Sequence, residues 1–398
     1  MRHCLILVAS LLATAAQAAS VPVSQGELRA TIERLVGFGT RHTLSETRSE
    51  TRGIGAARRF AASRFAAISK DCGGCLIIET PSKMATSARV PVPAEIINVM
   101  AILPGTSDPG RVIIMSAHID SRNSDPLDAK GDSPGANDDG SGTAAVIEAA
   151  RLLSKQRFPA TIVFAVLSGE EQGLLGGTLL AETARAKGWR VEAVLNNDIV
   201  GNSRGSGGAR DDRTVRVFSE GTKATETPEE AGRRRYNGGE VDSPARNLSR
   251  FIAGLAAKDL RVEQVWRTDR FGRGGDQTPM LAAGYPAVRI TERQEHYDRQ
   301  HQNIRVENGR PYGDTIDGVD FPYLARVTVL NINALAALAS APGVPTGVTI
   351  AGQVTPDTKL TWMPVVGAAG YKVWWRPTTA AAWTNSRAVP AGETSLTL

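Results

Sequence analysis

The chain has 398 residues, three cysteines and 46 basic against 41 acidic side chains, a formal net charge of +5. That length allows two or three domains and a large core. The charge excess is mild and no dense basic block is interleaved with aromatics, which argues against a nucleic-acid partner.

The first residues read as a targeting segment. Arg2 gives a short basic start, residues 5–16 are an apolar run, and Ala16-Gln17-Ala18 fits the small-x-small cleavage rule. Residues 1–18 are therefore expected to be a cleaved signal peptide, with a mature chain beginning near Ala19 in a secreted or periplasmic protein. The run is too short for a membrane anchor, and no membrane span is expected further on. Cys4 precedes the apolar run, badly placed for lipid attachment. Cys72 and Cys75 remain, as CGGC, and in an exported protein they read as a small local disulfide. A thioredoxin-like redox site is disfavoured by the Gly-Gly between them.

Apolar residues recur at helical spacing over 26–37 and 53–70, with a loop between them that carries His42. Strands are expected at 76–79, 96–103 and 111–117, then a Gly/Pro/Asp-rich loop over 120–140 and a helix over 141–155. Residues 161–167, TIVFAVL, form a β-branched apolar run long enough for one buried strand. A helix over 174–187 and a strand over 191–200 follow. Residues 201–247 read as polar and irregular apart from the strand-like 215–218, with Arg233-Arg234-Arg235 as a solvated loop triplet. A helix over 243–257, a short strand over 287–290 and a long apolar helix over 321–340 complete the series. Alternating strands and helices predict an α/β fold, a doubly wound, mainly parallel sheet flanked by helices, spanning 19–340.

Residues 341–345, APGVP, read as a linker. Beyond it, 346–398 shows short alternating strands and resembles the first half of a fibronectin type III sandwich. The match rests on Trp362-Met363-Pro364-Val365 and Gly370-Tyr371-Lys372-Val373. It predicts a partial β-sandwich, incomplete at Leu398, whose sheet edges stay open. Trp362 and Tyr371 read as its core, and its surface is a candidate contact for protein or carbohydrate.

Polar residues stand where the strands end. His118 and Asp120 follow 111–117, Glu170 and Glu171 follow 161–167, and Asp198 lies in 191–200. Asp138 and Asp139 stand where the helix over 141–155 begins. In an open α/β sheet the ligand crevice lies beyond the carboxyl ends of the strands. That many anions in one crevice need a multivalent cation, and imidazole mixed with carboxylate suits zinc, cobalt or manganese. Two ions about 3.5–4 Å apart, sharing one carboxylate, would use the whole set. A second histidine is then expected, from His42, His296 or His301.

Taken together, H-x-D (His118, Asp120), GANDDGSG from Gly135, GEEQGLLG from Gly169, NDIVG from Asn197 and a late histidine resemble the dinuclear zinc aminopeptidases of the bacterial leucyl aminopeptidase type, related to glutamate carboxypeptidase. The resemblance covers about residues 30–340 and implies the zinc exopeptidase fold. It implies Asp138 as the carboxylate bridging two Zn2+, His118 and Asp198 on one ion, and Glu171 and His301 on the other, with His301 preferred to His296. Asp120 would orient the His118 ring, Glu170 would be the general base for a zinc-bridged water, and the Asp138–Asp139 peptide would be cis. The function expected is hydrolysis of N-terminal residues from peptides. A glutaminyl cyclase, a carboxypeptidase for acidic C-termini and a non-catalytic binding protein on a peptidase fold are the alternatives. Asp139 reads as a cap, His42 as structural, and Asp276 as either a cap or a substrate-side residue. Loops 201–247 and 266–285 are expected to build the substrate pocket.

Overall fold

The computed structural model describes residues 4–8, 22–380 and 382–398, which fall into two compact units. The larger holds 22–225 and Pro244–Ala339. The smaller combines Cys4–Val8, Glu226–Ser243 and Ser340–Leu398.

The larger unit is built on an eight-stranded sheet. In chain order the strands are β1 (Ile77–Glu79), β2 (Val99–Leu103), β3 (Asp108–His118), β4 (Ala160–Leu167), β5 (Arg190–Asn197), β6 (Thr214–Phe218), β7 (Arg261–Val265) and β8 (Ala287–Glu292). Their order across the sheet is β7-β6-β8-β5-β3-β4-β2-β1. The centre, β8-β5-β3-β4, is parallel, whereas β2 runs antiparallel to β4, β1 to β2, and β6 to β8. The sheet is thus mixed, with the expected parallel arrangement at its heart.

Seven helices cover it: α1 (Gln25–Val36), α2 (Gly53–Asp71), α3 (Gly140–Leu153), α4 (Leu175–Ala186), α5 (Pro244–Gly254), α6 (Gln277–Ala282) and α7 (Phe321–Ser340). The central strands are apolar without interruption because both their faces are covered. Strand periodicity still sorts the side chains. Ile113, Met115, Ala117, Ile162, Phe164 and Val166 join the core under α1, α2, α3 and α7. Their neighbours Val112, Ile114, Val163, Ala165 and Leu167 join the core under α4 and α6. Full burial of each such Val, Leu, Ile or Phe contributes about 1.5–3 kcal/mol. By length and composition α7 could cross a membrane. Here Tyr323, Leu324, Val327, Leu330 and Leu335 are core residues, which explains the apolarity without a bilayer.

Register sets the site. His118 of β3 pairs with Leu167 of β4, and Ser116 with Asn196 of β5, so three neighbouring parallel strands end level with one another. The β3–α3–β4 and β4–α4–β5 crossovers place α3 and α4 on opposite faces, which opens a crevice at the end of β3.

Several local features depart from the sequence expectations. Strand 96–103 is two strands, Val90–Ile97 and β2, interrupted at Asn98, and Val90–Ile97 pairs with Ser82–Ser87 as a ribbon. β7 pairs parallel with β6. Arg233-Arg234-Arg235 is helical, within Pro228–Asn237. Low hydrophobicity hides that helix from a periodicity reading. Its Thr227–Glu230 capping box, Pro228 in the first turn and arginines in the last are nonetheless ordinary helix signals. Cys72 and Cys75, by contrast, are disulfide-bonded as expected.

The smaller unit carries two three-stranded sheets. Thr349–Ala351, Lys359–Thr361 and Ser395–Thr397 form one; Cys4–Val8, Gly370–Arg376 and Asn385–Pro390 form the other. Leu360, Trp362, Tyr371, Val373 and Val389 close a small core, with the Trp362 and Tyr371 rings edge-to-face at 5.2 Å. The last two strands, Asn385–Pro390 and Ser395–Thr397, each pair with one strand of these sheets. Cys4–Val8 lies inside the stretch read as a leader and pairs antiparallel with 372–376; residues 1–3 and 9–18 of that stretch lie outside the described residues. Glu226–Ser243 groups with this unit rather than with the larger one, in which the sequence places it. One tie within this unit is Asp242, whose Oδ2 meets Arg376 Nη2 at 2.6 Å, with both side chains almost fully buried.

Removing one member of a buried ion pair strands the other charge, at a cost of about 3–5 kcal/mol. Arg376→Ala should therefore destabilise the smaller unit by that order, read as early proteolytic cutting within 226–243 under mild urea. Unchanged resistance would show that the pair does not hold the segment.

Candidate metal centre

β3 ends on His118, whose backbone is clamped on both sides. Its N–H donates to Asp139 Oδ2 at 3.2 Å and its carbonyl accepts from Thr143 Oγ1 at 2.9 Å. The ring is aimed by the backbone carbonyl of Asp120, 3.0 Å from Nδ1, which leaves Nε2 for the crevice. The Asp120 carboxylate stands 3.6 Å from Nδ1, too far for a hydrogen bond. It accepts instead from the backbone N–H groups of Gly169, Glu170 and Glu171 at 2.9, 3.3 and 3.1 Å, and from the Thr43 hydroxyl at 3.1 Å. Burial opposes that charge, yet His118 and these N–H donors hold Asp120 below the usual carboxylate range.

Asp138 lies in the crevice just before α3 and is joined to Asp139 by a cis peptide bond. Its two oxygens serve different partners: Oδ1 lies 3.2 Å from His118 Nε2, and Oδ2 lies 3.0 Å from His301 Nε2. Asp139 caps α3 through Gly142 N at 3.0 Å and also accepts from Ile199 N at 3.2 Å. A side chain at 142 would come within 2.5 Å of Asp139 Oδ2 and 2.6 Å of the Asn197 carbonyl, so the helix start can approach β5 only with glycine there.

Asp198, one residue past β5, brings Oδ1 to 4.0 Å from His118 Nε2. Glu171 brings Oε1 to 2.8 Å from His301 Nε2. Two groups of three result, His118–Asp138–Asp198 and Asp138–Glu171–His301, and both contain Asp138. Glu170 is half-buried on the wall of the same crevice. Burial pushes its carboxyl well above the usual range against the pull of His118, and Glu171, Asp198 and Asp276 add to the rise.

These residues fit zinc. Each group offers one imidazole and two carboxylates, the three-ligand pattern of a catalytic zinc that keeps a position open. Ligands about 2.0–2.1 Å from a tetrahedral ion stand about 3.3 Å apart, and the separations here run from 2.8 to 4.0 Å. Glu171 Oε1 is buried and, although close to His301, makes no aligned hydrogen bond, as befits an oxygen whose lone pair points elsewhere. Arg122 donates Nε to Glu171 Oε2 at 2.9 Å and lies 2.7 Å from His301 Nδ1. With Nε2 as a ligand, Nδ1 carries the proton, so Arg122 keeps Glu171 and gives up the ring.

His301, with φ +55°, belongs to a group, whereas His296 and His42 belong to neither. His42 is fully buried between Pro126 O, Gln172 and Leu44 N. Asp276 begins α6 without capping it; its Oδ1 accepts from Gly177 N of α4 at 2.9 Å. The crevice is a cleft of about 420 Å³, walled by Arg270–Gly274 but, among the described residues, by none of 201–247. Residues 202–204 line a separate hollow with His296 and Arg299.

Three supporting residues escaped the sequence reading. Asp314 accepts from the N–H groups of Asn137 and Asp138, at 3.0 and 2.7 Å, and so holds the backbone behind the shared carboxylate. Arg289 is fully buried and brings Nη2 to 2.8 Å from Asp198 Oδ1. A charge inside the apolar run 287–290 was its available signal. Arg122 and Asp314 lie in polar loops and had none.

The sequence matches peptidase family M28 over residues 98–315. A protein of Leptosphaeria maculans named a probable zinc metalloprotease is 46 % identical over 390 residues, 96 % of this chain and 90 % of that one. One of the same name from Pyricularia oryzae is 45 % identical, over 93 % and 76 % of the two chains. Among solved structures, the LapA aminopeptidase of Legionella pneumophila superposes with a TM-score of 0.58 at 19 % identity, over 81 % and 72 %. A glutaminyl cyclase of Porphyromonas gingivalis gives 0.54 at 16 %, over 79 % and 98 %. At such identities these likenesses concern the fold alone.

Metal loading should be proton-coupled. Burial lowers both histidines, but the surrounding carboxylates override it, raising His301 to about 9 and His118 well above 6.5. His301 is therefore protonated at pH 7 in the metal-free protein, and ligation must displace that proton. Calorimetric titration with zinc in two buffers of different ionisation enthalpy should show at least one proton released per chain. Apparent affinity should climb with pH until about 9. Loading without proton release would place the metal elsewhere.

Proposed function

This chain belongs to peptidase family M28 and is a zinc metallopeptidase acting on peptides, and within that frame we propose that it is an exported dinuclear aminopeptidase. The observation that carries a pair of ions is the division of Asp138, one oxygen to each three-residue group. A single ion would leave one complete set of buried donors unused. Likeness of fold to LapA favours the aminopeptidase. The leader-like first 18 residues favour export.

In this reading His118, Asp138 and Asp198 would hold one ion, and Asp138, Glu171 and His301 the other. Bound zinc acidifies water and polarises the scissile carbonyl. Glu170, beside the ligands but in neither group, accepts the proton of the attacking water and delivers it to the leaving amine. Its raised proton affinity suits a group that must hold that proton between the two events. Asp120 positions Glu170 and Glu171 by gripping their backbone N–H groups. Arg289 and Asp314 hold Asp198 and Asp138 in place.

The competing reading is a glutaminyl cyclase, favoured by the same fold in a cyclase structure. It predicts one zinc per chain and ring closure of N-terminal glutamine without hydrolysis.

Elemental analysis should find close to two zinc ions per chain, and a chelator should abolish peptide hydrolysis. Glu170→Gln should keep the metal while lowering kcat about 10²–10⁴-fold, with a much smaller change in KM. Glu171→Ala should lose metal, and added zinc should restore part of the activity. The reverse pattern of metal loss would exchange the roles of the two glutamates, and one zinc with cyclisation alone would install the cyclase.

A further inference from the structure

The cleft over the two three-residue groups has an unusual wall. Its lining acids other than Glu170 all belong to those groups. Among the remaining described lining residues, Leu174 is the one apolar side chain, Gly173, Gly272 and Gly274 add only backbone, and the rest are arginines: Arg89, Arg122, Arg270 and Arg273. A lysine or arginine side chain entering here would meet no spare carboxylate. A leucine or phenylalanine side chain would find too little apolar surface to replace its water.

Two of the four guanidinium groups are already engaged next to the ligands. Arg122 holds Glu171 Oε2, and Arg89 donates Nη1 to the Glu171 carbonyl at 2.9 Å. The other two retain donors. Arg270 is fixed by Asp269 at Nε and by Glu295 at Nη1, which leaves Nη2 with no hydrogen bond to any described residue. Its charge still reaches Asp198, where it favours the ionised carboxylate. Arg273, three residues on, is exposed and has a single long bond, 3.4 Å, to Gln300. A rigid, nearly buried arginine and an exposed, weakly tethered one, both on the wall of the cleft, make a receptor for a planar anion.

We propose that the preferred substrate carries a carboxylate close to the scissile bond, received by Arg270 and Arg273. This rests on the hydrolase reading of the same cleft. Two sources supply that chemistry: the side chain of an N-terminal Asp or Glu, or the C-terminal carboxylate of a short peptide.

The zinc-loaded enzyme distinguishes them with two sets of substrates. The first is the 4-nitroanilides of Glu, Asp, Gln, Leu and Lys; the second is Ala-Gly against its C-terminal amide. A charge-assisted contact is expected to favour Glu over Gln, or the free dipeptide over its amide, by about tenfold or more in kcat/KM. Arg273→Glu should bring that ratio to one or below, mainly through KM. Ratios near one in both sets, or a high ratio that survives Arg273→Glu, would each overturn the proposal. Because the ratios of the unmodified enzyme already decide the matter, a misfolded variant cannot rescue it. An enzyme that hydrolyses both members of each pair equally fails this inference alone, whereas one that hydrolyses nothing fails the aminopeptidase reading beneath it.

Discussion

The carboxylate of Asp138 is the point on which the rest of the site depends. Both its oxygens are in use, in different directions, so the side chain cannot turn without losing one of the two groups. Its backbone is held by Asp314, which grips the N–H groups at 137 and 138. Burial alone would neutralise such a carboxyl, but His301 and His118 hold it well below its usual range. Around it the protein has gathered charge that no core would tolerate for stability. Burial already drives Asp139, Glu170 and Asp198 towards their neutral forms, which is how the metal-free cluster relieves its own repulsion.

A second constraint is geometric. Three parallel strands finishing at one level deliver His118, the 169–171 turn and Asp198 to a single edge, and α3 starts against the same edge. Period-two packing against helices on both faces fixes which side chains enter the core. What remains free to specialise is the set of loops above that edge. The segment Arg270–Gly274 shapes the cleft, while the loop after β5 turns to a different hollow.

How much of this was legible in the sequence follows from range. Strand β4 announces itself as an unbroken apolar run, and His118, Asp138, Glu170, Glu171 and Asp198 announce themselves as acids or an imidazole where such runs stop. Residues whose work is done across the chain were not readable. Asp314 acts on a backbone 176 residues away, and Arg122 on Glu171 and His301 from a loop with no periodicity. Asp120 was read as a partner of the His118 ring. Its carbonyl does that work, while its carboxylate ties down the next strand's turn, a division that only coordinates reveal. Helix Pro228–Asn237 was missed for a different reason: its signals are in its caps, and a polar helix carries no stripe.

The pairing of Asp242 with Arg376 also sets an order of events during synthesis. The two partners are 134 residues apart, and the earlier one belongs to a segment that does not group with the residues made on either side of it. At typical elongation rates of about 5–20 residues per second, the segment waits on the order of ten seconds before its guanidinium partner is made. Throughout that interval the carboxylate lacks its partner, while β7 and β8, the strands that complete the mixed sheet, are still being made. The nascent chain therefore carries a temporary loop, open to proteases and chaperones, that is retired only when the last fifty or so residues have emerged.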